Sequence, residues 1–150
     1  MDLENTFEDL KSKLGNSATN KDYLQKVIHF VGRHGSDALL WESASLLHQQ
    51  LSSEPQSQSV LLSSLIEQCV FDAQVIVDML LESSTAEYVI QYIFLVSSTR
   101  ASAPSPLKIR DENAAPVLQE LIQHLERAQR ANLFPYNVSS LIARLERIVN

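Results

Sequence analysis

The sequence predicts an all-α protein of about eight helices, arranged as stacked antiparallel hairpins in a short HEAT-like or armadillo-like array, or as a compact helical bundle. Three observations carry this. Apolar residues recur at steps of three and four in eight stretches. The three glycines, Gly15, Gly32 and Gly35, all fall where such stretches end. The one segment of strand-like composition, Tyr88 to Val96, has no second strand elsewhere to pair with.

Leu3, Phe7, Leu10 and Leu14 make one stripe of a first helix that Gly15 stops. Asn20 caps a second, with Tyr23, Leu24, Val27, Ile28 and Val31 on one face and a Gly-Arg-His-Gly turn at 32 to 35. Ser36 or Asp37 starts a third, carrying Leu39, Leu40, Leu46, Leu47 and Leu51, and the polar run from Ser52 to Ser59 reads as an exposed loop. From Val60 to Val96 the apolar positions nearly encircle their helices, so these are expected to be buried on several sides. Asp72 caps the second helix of that stretch, and Ser84-Thr-Ala-Glu87 reads as a capping box for the third. Ser97 to Asn113, holding Pro104 and Pro106, is an extended linker. Two amphipathic helices follow, on Val117, Leu118, Leu121, Ile122 and Leu125, and on Val138, Leu141, Ile142, Leu145 and Ile148, joined around Pro135. Leu121-Ile-Gln-His-Leu-Glu-Arg127 is echoed by Leu141-Ile-Ala-Arg-Leu-Glu-Arg147, either as a hairpin of like helices or by convergence on one amphipathic pattern.

A chain of 150 residues is most simply one domain, long enough to bury roughly 70% of its unfolded surface. Within it we distinguish an acidic helical body (1–98), a Pro/Ser linker (99–112) and a C-terminal hairpin (113–150). Residues 1–99 carry 5 Lys/Arg against 13 Asp/Glu, and residues 100–150 carry 7 against 5. That balance argues against phosphate-backbone binding, so nucleic acid is not an expected partner. No apolar run reaches the roughly 18 residues of a membrane span, and the N-terminus has no signal-peptide pattern. The expectation is a cytoplasmic or nuclear protein with no membrane partner.

Catalytic and metal chemistry find little purchase. His29, His34, His48 and His124 lack metal-ligand spacing and read as surface or capping residues, and no cofactor motif is present. There is no Gly-x-Ser-x-Gly elbow and no phosphate-cradling loop, and Cys69 in an apolar run reads as a buried, inert thiol. Glu82 with Glu87, or Asp72 with Asp78, read as helix-end charges rather than acid/base pairs. Asn137-Val-Ser139 reads as a helix start rather than a glycosylation acceptor. Trp41, Tyr88, Tyr92 and Phe94 are the candidate partner-binding anchors, weighed against core packing. Ser105, followed by Pro106 and Lys108 in the linker, is a candidate phosphorylation site, and the linker is expected to be mobile and regulatory.

The segment Tyr23 to Ala38, with Val27-Ile-His-Phe-Val-Gly-Arg-His-Gly-Ser-Asp-Ala38 at its centre, resembles the opening of the large scaffold subunit of the eukaryotic cytoplasmic mRNA deadenylase complex. In that family such a hairpin begins a long HEAT-like array that docks other subunits, so the resemblance implies an interaction scaffold. Residue patterning points the same way. The expected function is that of a non-enzymatic adaptor or scaffold domain binding a helix or peptide of a partner protein. The alternative is a homo-oligomerisation module pairing through the Leu121 and Leu141 helices.

Overall fold

A computed structural model describes residues 28–29, 31–33, 36–50, 55–98 and 111–149. The protein is all-helical, and no strand forms among the described residues; Tyr88 to Val96 is helix. After helical residues at 28–29 and 31–33 come α1 (Asp37–Gln50), α2 (Pro55–Gln68), α3 (Ala73–Leu81), α4 (Ala86–Val96), α5 (Ala115–Arg130) and α6 (Ser139–Val149). The expected Leu3 to Leu14 helix, the linker's central part and Ser105 lie outside the described residues.

Side chains set most of the helix starts. Ser36 Oγ accepts from the Leu39 amide at 3.2 Å, starting α1 where the sequence placed it. Asp72 does the same for α3, accepting from Gln74 N at 2.9 Å. Asp111 accepts from the amides of Asn113 and Ala114 ahead of α5, and Asn137 Oδ1 accepts from Ser139 N at 2.9 Å ahead of α6.

Two local expectations are corrected. The polar run Ser52 to Ser59 is not wholly loop, because α2 already begins at Pro55, where proline's fixed φ and missing N–H suit a first helical position. Its Gln58 is buried and donates to the His48 carbonyl at 3.0 Å, near the end of α1. The capping box at 84–87 does not form. The N-cap is Thr85, its hydroxyl turned back to donate to the carbonyls of Met79 and Glu82, while Glu87 accepts from Gln91 within the helix. The tight four-residue connection from α3 gives that hydroxyl nearer acceptors behind it, at the α3 end, than ahead.

The helices pack as hairpins that stack in part. α3 pairs with α4 and α5 with α6; across the two hairpins α3 meets α5 and α4 meets α6. Those four contacts close a square of helices, a pattern that two stacked hairpins and a four-helix bundle share. α1 packs on α2 and α4, and α2 turns into α3 through 86°. One continuous core runs through all six helices, with Leu47, Leu61, Leu65, Leu80, Leu121 and Leu145 almost wholly buried.

Two helices end in the same device at different cost. At the end of α5 the Leu133 amide donates to the Ala128 carbonyl and the Asn132 amide to that of Gln129, with Asn132 left-handed at φ 57°. At the end of α2 the Phe71 amide donates to Ile66 and the Val70 amide to Glu67, with Val70 at φ 51° and Phe71 at φ 54°. Asparagine tolerates that conformation, whereas a β-branched residue crowds its own backbone, costing roughly 1–2 kcal/mol. Val70→Gly is therefore expected to raise stability by about 1 kcal/mol, read by denaturant melts, because the side chain it removes is mostly in solvent. A lower midpoint would mean that the valine side chain holds the corner together.

Candidate interaction surface

The aromatic anchors read from the sequence divide into two pairs. Trp41 and Tyr92 are in the core, 3% and 0% exposed, with ring centroids 5.7 Å apart in an edge-to-face arrangement. Trp41 Nε1 donates to Met79 Sδ at 3.1 Å, and the His48 ring meets the other side of Tyr92 at 6.1 Å. These two rings present no area to a partner in this structure. His48 is likewise buried rather than on the surface. Tyr88 and Phe94 are half-buried on α4, and the Arg144 guanidinium of α6 lies 4.9 Å above the Phe94 ring, so that face already has a cation over it.

A cavity of about 10 Å³ lies beside Trp41 and Tyr92, walled by Ile66, Ile76, Leu121 and other aliphatic side chains. That is room for about one water, against the roughly 300–1,000 Å³ of a ligand pocket. Among the described residues the large apolar side chains in solvent are elsewhere: Val70 (72% exposed), Leu133 (65%), Leu46, Phe71 and Leu81. Leu81 and Leu133 belong to one end of the molecule, where the Tyr136 hydroxyl donates to the Leu80 carbonyl at 2.7 Å and the rings of Phe134 and Tyr136 meet at 5.6 Å. Val70 and Phe71 form the corner between α2 and α3. Sequence periodicity missed these residues because four of the five sit at helix ends, where side-chain direction follows turn geometry and the 3.6-residue period no longer applies. The available signal was Val70-Phe71 immediately ahead of the Asp72 cap.

Titratable groups are few and scattered. Among the described residues no three His, Cys, Asp or Glu side chains gather as a metal site. His124 Nε2 is 3.7 Å from Glu120 on the same helix, and His29 Nδ1 is 3.4 Å from Gln68 Nε2. Asp78, offered as a partner for Asp72, instead accepts from Gln74 at 3.0 Å within α3. Cys69 is a free, buried thiol; burial first, and the nearby Asp37 carboxylate second, push it from 9.0 up to about 12. A thiol so held has almost no thiolate at neutral pH. Burial also pushes the Tyr92 phenol upward, and its hydroxyl has no hydrogen-bond partner among the described residues.

Two predictions follow from this interior. Trp41→Ala should cost about 3–5 kcal/mol of stability, as a core truncation does, whereas Tyr92→Phe should leave the melting temperature unchanged or higher, because it removes an unpaired buried hydroxyl. The second concerns pH. The unfolded chain releases the Cys69 proton at about 9.0 and the folded chain only at about 12, so stability is complete below the lower value and falls as pH climbs between them. Denaturant midpoints of wild type and Cys69→Ala across that window test this, the variant showing the shallower fall.

With the geometry in place, comparison with known proteins adds one finding. A family model described as Lines C-terminus matches residues 114–150, the span of α5 and α6. No curated protein and no solved structure matches the chain, so the likeness of Tyr23 to Ala38 to the deadenylase scaffold gains no support from them. The chain is similar to the Lines C-terminus over its last hairpin.

Proposed function

We propose that this protein is a non-enzymatic interaction module, an adaptor or scaffold domain that binds a helix or peptide segment of a partner protein. The observation that carries the reading is where the apolar side chains lie. The cavity beside Trp41 and Tyr92 has room for about one water, yet among the described residues Val70, Phe71, Leu81 and Leu133 stand in solvent at helix junctions, where they add little to the core. Exposed apolar side chains of this kind, rimmed by polar residues, are what a protein–protein contact uses. The similarity to the Lines C-terminus falls on one of those hairpins and names a segment of a larger protein, which suits a part that works inside an assembly.

The self-association reading has less support. Leu121, Leu125, Leu141 and Leu145, the residues that would pair between chains, are buried within this one. Light scattering is expected to give a monomer at micromolar concentration.

The adaptor reading is tested by purifying the tagged protein from its native cells in parallel with a Val70→Ser/Leu133→Ser double variant. The wild type is expected to retain a partner through moderate salt, and the variant to lose it while melting at the same temperature or above. Loss of every partner from the wild type at moderate salt would overturn the proposal, and so would an unchanged set on the variant.

A further inference from the structure

We propose that the Val70–Phe71 corner is the docking point of the module, and that its occupant is a basic, apolar-faced helix or peptide of a partner protein. The inference rests on the adaptor reading and adds to it a place and a chemistry.

The two helix ends share their hydrogen bonds and differ in their residues. Val70 and Asn132 hold the left-handed position, followed by Phe71 and Leu133, and Phe71 is left-handed as well at φ 54°. Val70 is β-branched, and for such a residue that conformation is an outlier. Its counterpart at the end of α5 is Asn132, a residue that enters the left-handed region readily, whereas valine there is strained. Its side chain adds little to the core in return, since among the described residues Val70 is the most exposed of the large apolar ones. Strain kept at a site where it does not serve packing marks a site kept for contact. Cys69 on one side and Ala73 on the other are buried, so the exposed pair stands between two residues anchored in the core.

Charge around the corner selects the partner. Glu67 and Asp72 flank the pair and are exposed, and Asp37 on α1 is close enough to act on Cys69. On the far side Gln68 meets the helical residues 29 and 31–33, through His29 and through Gly32, whose added Cβ would lie 2.6 Å from Gln68 Oε1; Arg33 follows there. Between residues 28 and 98 the sequence holds eight Asp/Glu and, as its one Lys/Arg, that arginine. An apolar pair bordered by carboxylates on such a surface attracts Lys/Arg-bearing segments and repels acidic ones. A helix with leucines on one face and lysines at its margins satisfies both features.

The probe is a fluorescein-labelled amphipathic peptide of Leu and Lys, with its Leu/Glu counterpart as control, titrated with the full chain and read by anisotropy. The Leu/Lys peptide is expected to bind, and the Leu/Glu peptide not to. Val70→Gly changes no charge, so a loss of affinity of about tenfold or more at an unchanged or higher melting temperature reports contact rather than unfolding. Glu67→Gln should weaken binding less and flatten its salt dependence. Equal binding of the Leu/Lys peptide by wild type and Val70→Gly would overturn the proposal, as would equal binding of both peptides. If Val70→Gly instead abolished a concentration-dependent increase in wild-type size, the occupant would be a second copy and the proposal would likewise fall. A Val70→Gly chain that keeps its native-cell partner sinks the corner alone, whereas a wild type with no partner sinks the adaptor reading.

Discussion

Helix α4 is apolar around most of its circumference, and a helix of that kind is stable only with neighbours on several sides. It obtains them from α1, α3 and α6. Its Val89, Tyr92, Ile93 and Val96 are buried, and Tyr92 takes Trp41 on one side and His48 on the other. α1 covers α4 from outside the two hairpins, while α3 and α6 reach it as its hairpin mate and as its neighbour in the other hairpin. The long α5, with its apolar residues confined to one face, closes the core from the α3 side.

Covering α4 from three sides has a geometric consequence. α2 and α3 meet at 86° with four residues between them, and the chain turns there through two successive left-handed residues. The hydrogen bonds of that turn satisfy the last carbonyls of α2, while Asp72 at once satisfies the first amides of α3. Backbone polar groups are thus paired, and the residual cost sits in side-chain crowding at Val70. A left-handed β-branched residue and the most exposed large apolar side chain among the described residues are therefore the same residue, Val70. It lies on the acidic half of the molecule, which connects the packing of α4 to the kind of partner the surface favours.

Helix identity, most boundaries and most buried faces were legible in the sequence because they depend on local rules. The three-and-four spacing of Leu121, Leu125, Leu141 and Leu145 needs no partner to be read, and Asp72 and Ser36 bond amides two and three residues away. The capping box at 84–87 failed because a hydroxyl has more than one acceptor within reach, and the α3–α4 turn decides which it takes. The Ser52 to Ser59 run misled because polarity was taken for exposure, whereas Gln58 is buried against a carbonyl of another helix.

By itself the sequence determined an all-helical chain, its apolar stripes, its acidic bias and the inert setting of Cys69, since each follows from residue type and spacing along one helix. Only the tertiary structure decided which aromatic residues are spent inside. Trp41 and Tyr92 have the area of anchors, and nothing in their spacing says whether that area faces α4's neighbours or solvent. It also decided that the exposed apolar surface lies at Val70, Phe71, Leu81 and Leu133. Those positions depend on how helices turn into one another, a property of pairs of helices in space that periodicity along a single helix does not encode.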